Sequence, residues 1–342
     1  MTTAAEVDRH AQTVRALSAP GAPLSRESPH ATIANPAWFF TPGMPTPMRE
    51  ELHQQILGRF RATMDTKVAH DKRAIVLAGP PGAGKSRILG ELIGEPGSES
   101  RRRWLEVDPD EIKTQLLDAA AADGSYETFI KPPAVRELEA QGERFFPLDF
   151  AALVHEESSE LAKAVREEAI RAGANVVIDS VLSKPDAAVE LGHQLERAGY
   201  RVDVVDVEVP YDVSAARIAQ RWRGAYNKAL QGDPEYRHGG RWVPEDYARS
   251  VYAGEGSRAI SQESAERVAH ECGNVTSFRR FWTPGSDRPR VVEVDQVRGP
   301  NGGLVDRRAA DATRNARASF PAAPQVRPAH PGRRSGQSTP ER

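Results

Sequence analysis

The sequence predicts an α/β fold, a parallel sheet sandwiched by helices, and three observations carry the prediction. A continuous apolar run, Ala74–Gly79, enters a glycine-rich segment and then a helical pattern, SRILGELIG. Three more β-rich runs, WLEVD, NVVIDS and VDVVDVEV, are separated by helical stretches such as FAALVHEESSELAKAVREEAIRAG and KPDAAVELGHQLERAG. The first run does not alternate polar with apolar, which marks a strand covered on both faces. Alternating strands and helices build a doubly covered sheet whose ligand site lies at the carboxyl ends of its strands.

With 342 residues, 39% hydrophobic and 27% charged, the chain holds enough apolar material for one large domain with flexible ends. Its 46 basic and 48 acidic residues leave a formal charge of -2, so no whole-molecule field draws it to nucleic acid or an anionic membrane. The single cysteine, Cys272, excludes an intramolecular disulfide and a multi-cysteine zinc site, and reads as a small buried apolar residue in a reducing compartment. The opening MTTAAEVDRHAQTVRALSAP carries charges where a secretory signal needs an apolar stretch, and no run approaches the roughly 18 apolar residues of a membrane span. The expectation is a cytoplasmic protein with no membrane partner, its near-neutral charge disfavouring nucleic acid.

Residues 1–46 mix Ala, Pro, Ser and Thr around Ile33, Trp38, Phe39 and Phe40, and read as a flexible leader that cannot build its own core. The main domain, 47–298, opens with a helix that spaces Leu52, Ile56 and Phe60 at helical intervals. After Pro210 come a long basic helix, DVSAARIAQRWRGAYNKAL, a glycine-rich turn, GDPEYRHGGRWVP, and a second helix from about Pro244, together a helical lid. FRRFW and RPRVVEVD read as a late strand pair closing the sheet. Residues 299–342 are Arg, Ala, Pro, Gly and Ser with almost no large apolar groups, and read as a disordered basic tail.

The segment GPPGAGKS, Gly79–Ser86, fits the phosphate-binding (P-loop) pattern in its required setting, with a strand before it and a helix after it. Gly82 and Gly84 let backbone N–H groups face a phosphate, Lys85 reaches the β- and γ-phosphates of a nucleotide, and Ser86 offers its hydroxyl to Mg²⁺. The nucleotide-binding set is therefore Gly79, Pro80, Pro81, Gly82, Ala83, Gly84, Lys85, Ser86 and Arg87, with ATP and Mg²⁺ as the expected cofactors. At the next strand end, VDPDEIK puts Asp108 and Asp110 at the sheet edge, where one carboxylate can take a proton from a hydroxyl and the other can cap the helix DEIKTQLL. NVVIDS delivers Asp179 to the neighbouring edge, suited to Mg²⁺ through water or to a substrate hydroxyl. Arg217 and Arg221 share a helix face and Arg237 and Arg241 flank the lid glycines, so their guanidinium forks suit the charge of a transferring phosphoryl group, or else form solvated basic faces.

Taken together, GPPGAGKS, VDPDEIK, VVIDS, the basic helix ending in QRWRG and the turn GRWVP resemble the zeta toxin family of P-loop small-molecule kinases, from about Ile75 to Val251. The resemblance implies a P-loop kinase-like fold and transfer of the ATP γ-phosphate to the 3′-hydroxyl of UDP-N-acetylglucosamine, with an antitoxin protein as a possible partner. It places the phosphate-loop lysine on Lys85, the catalytic base on Asp110, the sugar-contacting acid on Asp179 and the phosphate-binding arginines on Arg221 and Arg241. Asp108, Ser180, His155, Glu156 and Ser159 fall in regions that line the family's acceptor pocket. The chain departs from the family where Asp179-Ser180-Val181 stands for Glu-Gly-Thr, and in the insert GSYETFIKPPAVRELEAQGERFFP.

Two other readings stay open. The same scaffold serves kinases of other hydroxyls, such as a nucleoside, an antibiotic or a polynucleotide end, since fold does not fix the acceptor. A nucleotide-dependent switch is the second, although NKAL at Asn227 lacks the aspartate of the guanine-reading pattern. The leader, through Trp38, Phe39 and Phe40, is a candidate to fold over the nucleotide site in cis.

Overall fold

The computed structural model describes residues 4–254 and 258–318. Helix α1 (Ala4–Leu17) and a small hairpin, β1 (Phe39–Thr41) with β2 (Met44–Pro45), precede α2 (Pro47–Lys67). The alternating region runs β3 (Arg73–Ala78), α3 (Lys85–Ile93), the single turn α4 (Glu99–Arg102), β4 (Leu105–Val107), α5 (Pro109–Asp123), α6 (Pro133–Ala140), α7 (His155–Ala172), β5 (Val176–Asp179), α8 (Pro185–Arg197) and β6 (Arg201–Glu208). The lid helices are α9 (Tyr211–Leu230) and α10 (Glu245–Ser250), after which α11 (Ile260–Glu271), β7 (Val275–Trp282), β8 (Val291–Arg298), β9 (Leu304–Asp306) and α12 (Arg307–Ala318) complete the described chain.

The main sheet has seven strands in the order β4-β5-β3-β6-β7-β8-β9. Its first five members are parallel, β8 pairs antiparallel with β7, and β9 pairs antiparallel with β8. Every residue of β3 from Ala74 to Ala78 is buried, as its unbroken apolar run requires, and alternate side chains enter opposite cores. Ala74, Val76 and Ala78 join the large core that includes Leu116 of α5, Val165 of α7 and Leu195 of α8, whereas Ile75 and Leu77 join Ile88 and Leu89 of α3 on the other face. Register then sets the site. Leu77 lies opposite Asp179 and Val107 opposite Ile178, so the ends of β3, β4 and β5 come level at one sheet edge.

Both expected flexible ends need correction. The leader contributes to the large core: Val7, Val14, Leu24, Trp38 and Phe39 are buried in it. His10 is wedged between aromatic rings, 4.5 Å from Tyr226 and 4.8 Å from Phe145, with Nδ1 3.0 Å from Glu143. Composition hides this because a few apolar side chains, spaced along an otherwise polar arm, suffice to seat it on a core built by other elements. In the expected basic tail, Leu304–Asp306 pairs with β8 as the last strand, and α12 follows it. Backbone pairing needs no long apolar run, so composition gives no sign of it. The rest of that tail, 319–342, lies outside the described residues. Among the described residues no helix is long and apolar enough to cross a membrane.

The sheet also buries two carboxyls. Asp206 and Glu208, on one face of β6, are fully buried beside Arg280 of β7 and Ser261 of α11. Burial, then the charge of Asp206, push Glu208 up to about 10, so it is protonated at neutral pH. Asp206 Oδ1 and Glu208 Oε2 have no other partner, and the proton on Glu208 supplies the donor between two groups that otherwise only accept.

Candidate functional site

The phosphate-binding loop sits at the carboxyl end of β3 and opens α3, with Gly82 and Gly84 in the left-handed region at φ 74° and 99°. Close approach is enforced from outside as well. A Cβ at Gly79 would lie 2.2 Å from the carbonyl oxygen of Val207, and one at Gly82 2.9 Å from that of Ser214. Helix α9 then ties the loop down: Ser214 Oγ donates to the Pro81 carbonyl at 2.6 Å, and Arg217 Nη1 donates to those of Gly82 and Ala83 at 3.3 and 3.2 Å. With the carbonyls held back in this way, the loop N–H groups and the start of α3 are left to face the cleft.

That cleft has a volume of about 700 Å³. It is lined by the loop from Pro80 to Ser86 and by Asp108, Asp110, Lys113, His155, Glu156, Ser159, Asp179, Ser180, Arg217, Arg221, Arg241 and Tyr247, with Arg26 of the N-terminal arm. Seven basic and four acidic side chains line it, an excess of positive charge in a chain whose formal charge is -2. Lys85 Nζ donates to the Gly79 carbonyl at 2.7 Å and stands 3.3 Å from Asp179 Oδ1. Asp179 is thus held beside the phosphate-loop lysine by the parallel pairing of β5 with β3.

The two acids after β4 take different parts. Asp108 caps α5, its Oδ1 accepting from the Asp110 N–H at 2.8 Å. Although Asp108 stays open to solvent in the cleft, crowding by surrounding atoms and then the charge of Asp110 push it up to about 6. Asp110 Oδ1 accepts from Arg241 Nη1 at 2.6 Å and from Lys113 Nζ at 2.9 Å. Burial opposes its charge, but Arg241 and Lys113 prevail and hold its carboxyl well below the usual range. Arg221 is lowered by burial and by the nearby Arg241. His155 is pushed down to about 4 by burial and by the positive Lys113, Arg26 and Arg241, so it is neutral at physiological pH.

Most residues singled out from sequence converge here, and four do not. Arg87 is 83% exposed and pairs with Glu91, because its place in the first turn of α3 turns it away from the cleft. Arg237 binds Asp118 at 2.9 Å outside the cleft. Trp38 and Phe39 line no part of the nucleotide cleft; their rings are committed to the core, Trp38 beneath Arg49 and against Phe129. Conversely, Lys113, the loop-tying role of Arg217, and Arg26 and Tyr247 were not foreseen. The i, i+3 spacing of Asp110 and Lys113 in DEIK was a usable signal for the first; the others depend on tertiary contacts alone.

The donor set suits Mg²⁺ carried with a nucleotide. The Ser86 hydroxyl and the Asp179 carboxylate are hard oxygen donors lining the same cleft, and a magnesium ion takes few protein ligands beside water and phosphate oxygens. Among the described residues no cluster of three or more His, Cys, Asp or Glu is placed to hold a metal alone.

The fold has counterparts. A chain from crystals of the AvrRxo1-ORF1:AvrRxo1-ORF2 complex with sulphate ions superposes with a TM-score of 0.51 at 19% identity, over 84% of this chain and 76% of that one. The crystal structure of that complex with ATP gives a TM-score of 0.50 at 18% identity over the same shares. In sequence, 141 residues are 30% identical to a calmodulin calcium-dependent NAD kinase of Arabidopsis thaliana, covering 40% of this chain but only 24% of that protein. The zeta toxin family profile matches residues 60–275, which span the phosphate loop, both acids after β4, Asp179 and the lid arginines, and the chain belongs to the zeta toxin family.

Proposed function

We propose that the protein is an ATP-dependent kinase that phosphorylates a sugar hydroxyl of a pyrophosphate-linked nucleotide, with the 3′-hydroxyl of UDP-N-acetylglucosamine as the first candidate. The observation that carries this reading is the meeting of Lys85, Asp110, Asp179, Arg221 and Arg241 in one basic cleft at the phosphate loop. In the proposed reaction Asp110 takes the proton of the acceptor hydroxyl, whose oxygen bonds to the γ-phosphorus. The bond from that phosphorus to the β,γ-bridging oxygen breaks, and ADP leaves with the electron pair. Lys85, Arg221 and Arg241 neutralise the phosphate oxygens. For Asp110 to act as base, Arg241 leaves its carboxylate for the ATP phosphates, and the lid turn that carries Arg241 provides the movement. Mg²⁺ held at Ser86, and through water at Asp179, would offset charge on the β- and γ-phosphates.

NAD is the second acceptor candidate, favoured by the 30% identity to an NAD kinase over 141 residues. It shares with the first a ribose or sugar hydroxyl beside a bridging pyrophosphate. The family match also supports a toxin role restrained by a separate antitoxin protein. The deciding experiment incubates the protein with γ-labelled ATP, Mg²⁺ and either UDP-N-acetylglucosamine, NAD, a nucleoside or a short oligonucleotide. Label on UDP-N-acetylglucosamine or NAD chooses between the two acceptors, label on the nucleoside or oligonucleotide rejects both, and free phosphate alone rejects the kinase reading. Lys85→Ala is expected to abolish transfer and any growth arrest on expression.

A further inference from the structure

Beside the nucleotide cleft lies a second cavity, of about 460 Å³, which shares Lys113, His155, Arg241 and Tyr247 with it. One wall is the N-terminal arm, through Ser18, Ser25 and Arg26; the opposite wall is the lid, through Trp242, Tyr247 and Ser250. Arg26 lines both spaces and so stands where they join. It belongs to a part of the chain that precedes the family match at 60–275.

The arm presents Arg26 rigidly. Leu24 before it is fully buried, and Ser25 and Ser28 are buried on either side. Leu24 N–H donates to the Leu17 carbonyl at 2.8 Å, and further along the Thr32 N–H donates to that of Leu153 at 2.8 Å. The guanidinium itself is loosely engaged. It lies 5.5 Å from the Tyr247 ring centroid and 3.7 Å from Glu156, in a pair whose side chains are 40% and 43% exposed. A long, half-exposed ion pair contributes little, so the planar donor fork remains available to a stronger anion. Lys113 and Arg241 bias the junction positive, while Glu27 and Asp246 along the second cavity can accept from hydroxyls.

Building on the kinase reading, we infer that the second cavity receives the part of the acceptor that is not phosphorylated, and that Arg26 binds the acceptor's bridging pyrophosphate. The arm then completes the acceptor subsite rather than covering the nucleotide loop, and selects acceptors that carry a pyrophosphate next to the reacting sugar. Arg26 is a specificity-determining residue supplied from outside the family's common domain.

The test is equilibrium binding to the full chain loaded with a non-hydrolysable ATP analogue and Mg²⁺, with UDP-N-acetylglucosamine, NAD and a plain nucleoside as titrants. Loss of one charge-assisted contact predicts that Arg26→Ala weakens a pyrophosphate-linked nucleotide by about ten- to hundredfold, with Arg26→Lys recovering part of the loss. The affinity for the ATP analogue stays within about twofold, since the ion pair and ring contact of Arg26 go to Glu156 and Tyr247 rather than to the phosphate loop, and thermal melting of both variants establishes that they fold. If neither UDP-N-acetylglucosamine nor NAD binds, if binding ignores Arg26, or if the ATP analogue weakens equally, the assignment is wrong. Arg26-dependent binding without phosphate transfer would leave the subsite standing and overturn the kinase reading instead.

Discussion

Arg241 and Asp110 hold each other in the free protein, with Nη1 2.6 Å from Oδ1. The carboxylate proposed as base is therefore occupied until the arginine finds a better anion. Replacing Asp110 by Asn removes the proton acceptor and releases Arg241 toward ATP phosphates. The expected result is a fall in transfer rate of about 10²- to 10⁴-fold with ATP-analogue affinity unchanged or improved, read by single-turnover transfer and by calorimetric titration. A parallel loss of nucleotide affinity would remove Asp110 from the role of base.

Arg217 ties the phosphate loop through the carbonyls of Gly82 and Ala83, and touches no part of the reacting groups in the free protein. Arg217→Ala frees these carbonyls to turn toward the cleft, where they oppose a phosphate. ATP affinity is expected to drop about tenfold, equivalent to about 1.4 kcal/mol, with transfer at saturating ATP reduced only a fewfold. Titration of an ATP analogue against wild type and variant measures it.

Glu208 gives a pH dependence of definite sign. Its folded value, about 10, lies above its ordinary value, so the folded state binds the extra proton. Its contribution to stability is fully present below the ordinary carboxyl range and is lost as pH rises through about 10. Glu208→Gln mimics the protonated acid and removes that loss. The stability difference, Gln variant minus wild type, should grow with pH by up to about 1.4 kcal/mol per unit between pH 6 and 9, as read by urea unfolding. A flat difference would mean that Glu208 is ionised.

The arm stabilises the core only if its buried residues contribute free energy. Leu24 is fully buried, so Leu24→Ala is expected to cost about 2–4 kcal/mol in chemical unfolding, a value that a free leader would not produce. His10→Ala should also destabilise, since it empties a slot between Tyr226 and Phe145.

The sheet and the loop were legible because their signals are local. An apolar run such as Ala74–Ala78 can only be a strand covered on both sides, and GPPGAGKS carries its own backbone requirements. Asp110 and Asp179 were reachable because each follows a strand end, whereas the choice of Arg221 and Arg241 over Arg217 and Arg237 came from the resemblance to the zeta toxin family. What escaped was information held between distant segments. Nothing near Arg26 announces Tyr247, nothing near Val7 or Leu24 announces the core they enter, and Leu304–Asp306 becomes a strand only because β8 offers an edge. Helix α11 was missed for a related reason: its buried face consists of Ser261, Ser264, Ala265, Val268 and Ala269, small groups that give a weak apolar rhythm.

The arm's attachments also set an order of events in folding. Its ion pairs and hydrogen bonds run from Asp8 to Arg223, His10 to Glu143, Arg15 to Glu245 and Thr32 to Leu153, each spanning more than a hundred residues. Closing loops of that length costs entropy that only a formed surface can repay, so the arm is expected to dock among the last segments to fold. A nascent chain halted before α10 would then possess the phosphate loop and both acids after β4 but no finished second cavity. Hydrogen exchange should find α1 among the first helices to open in the native protein.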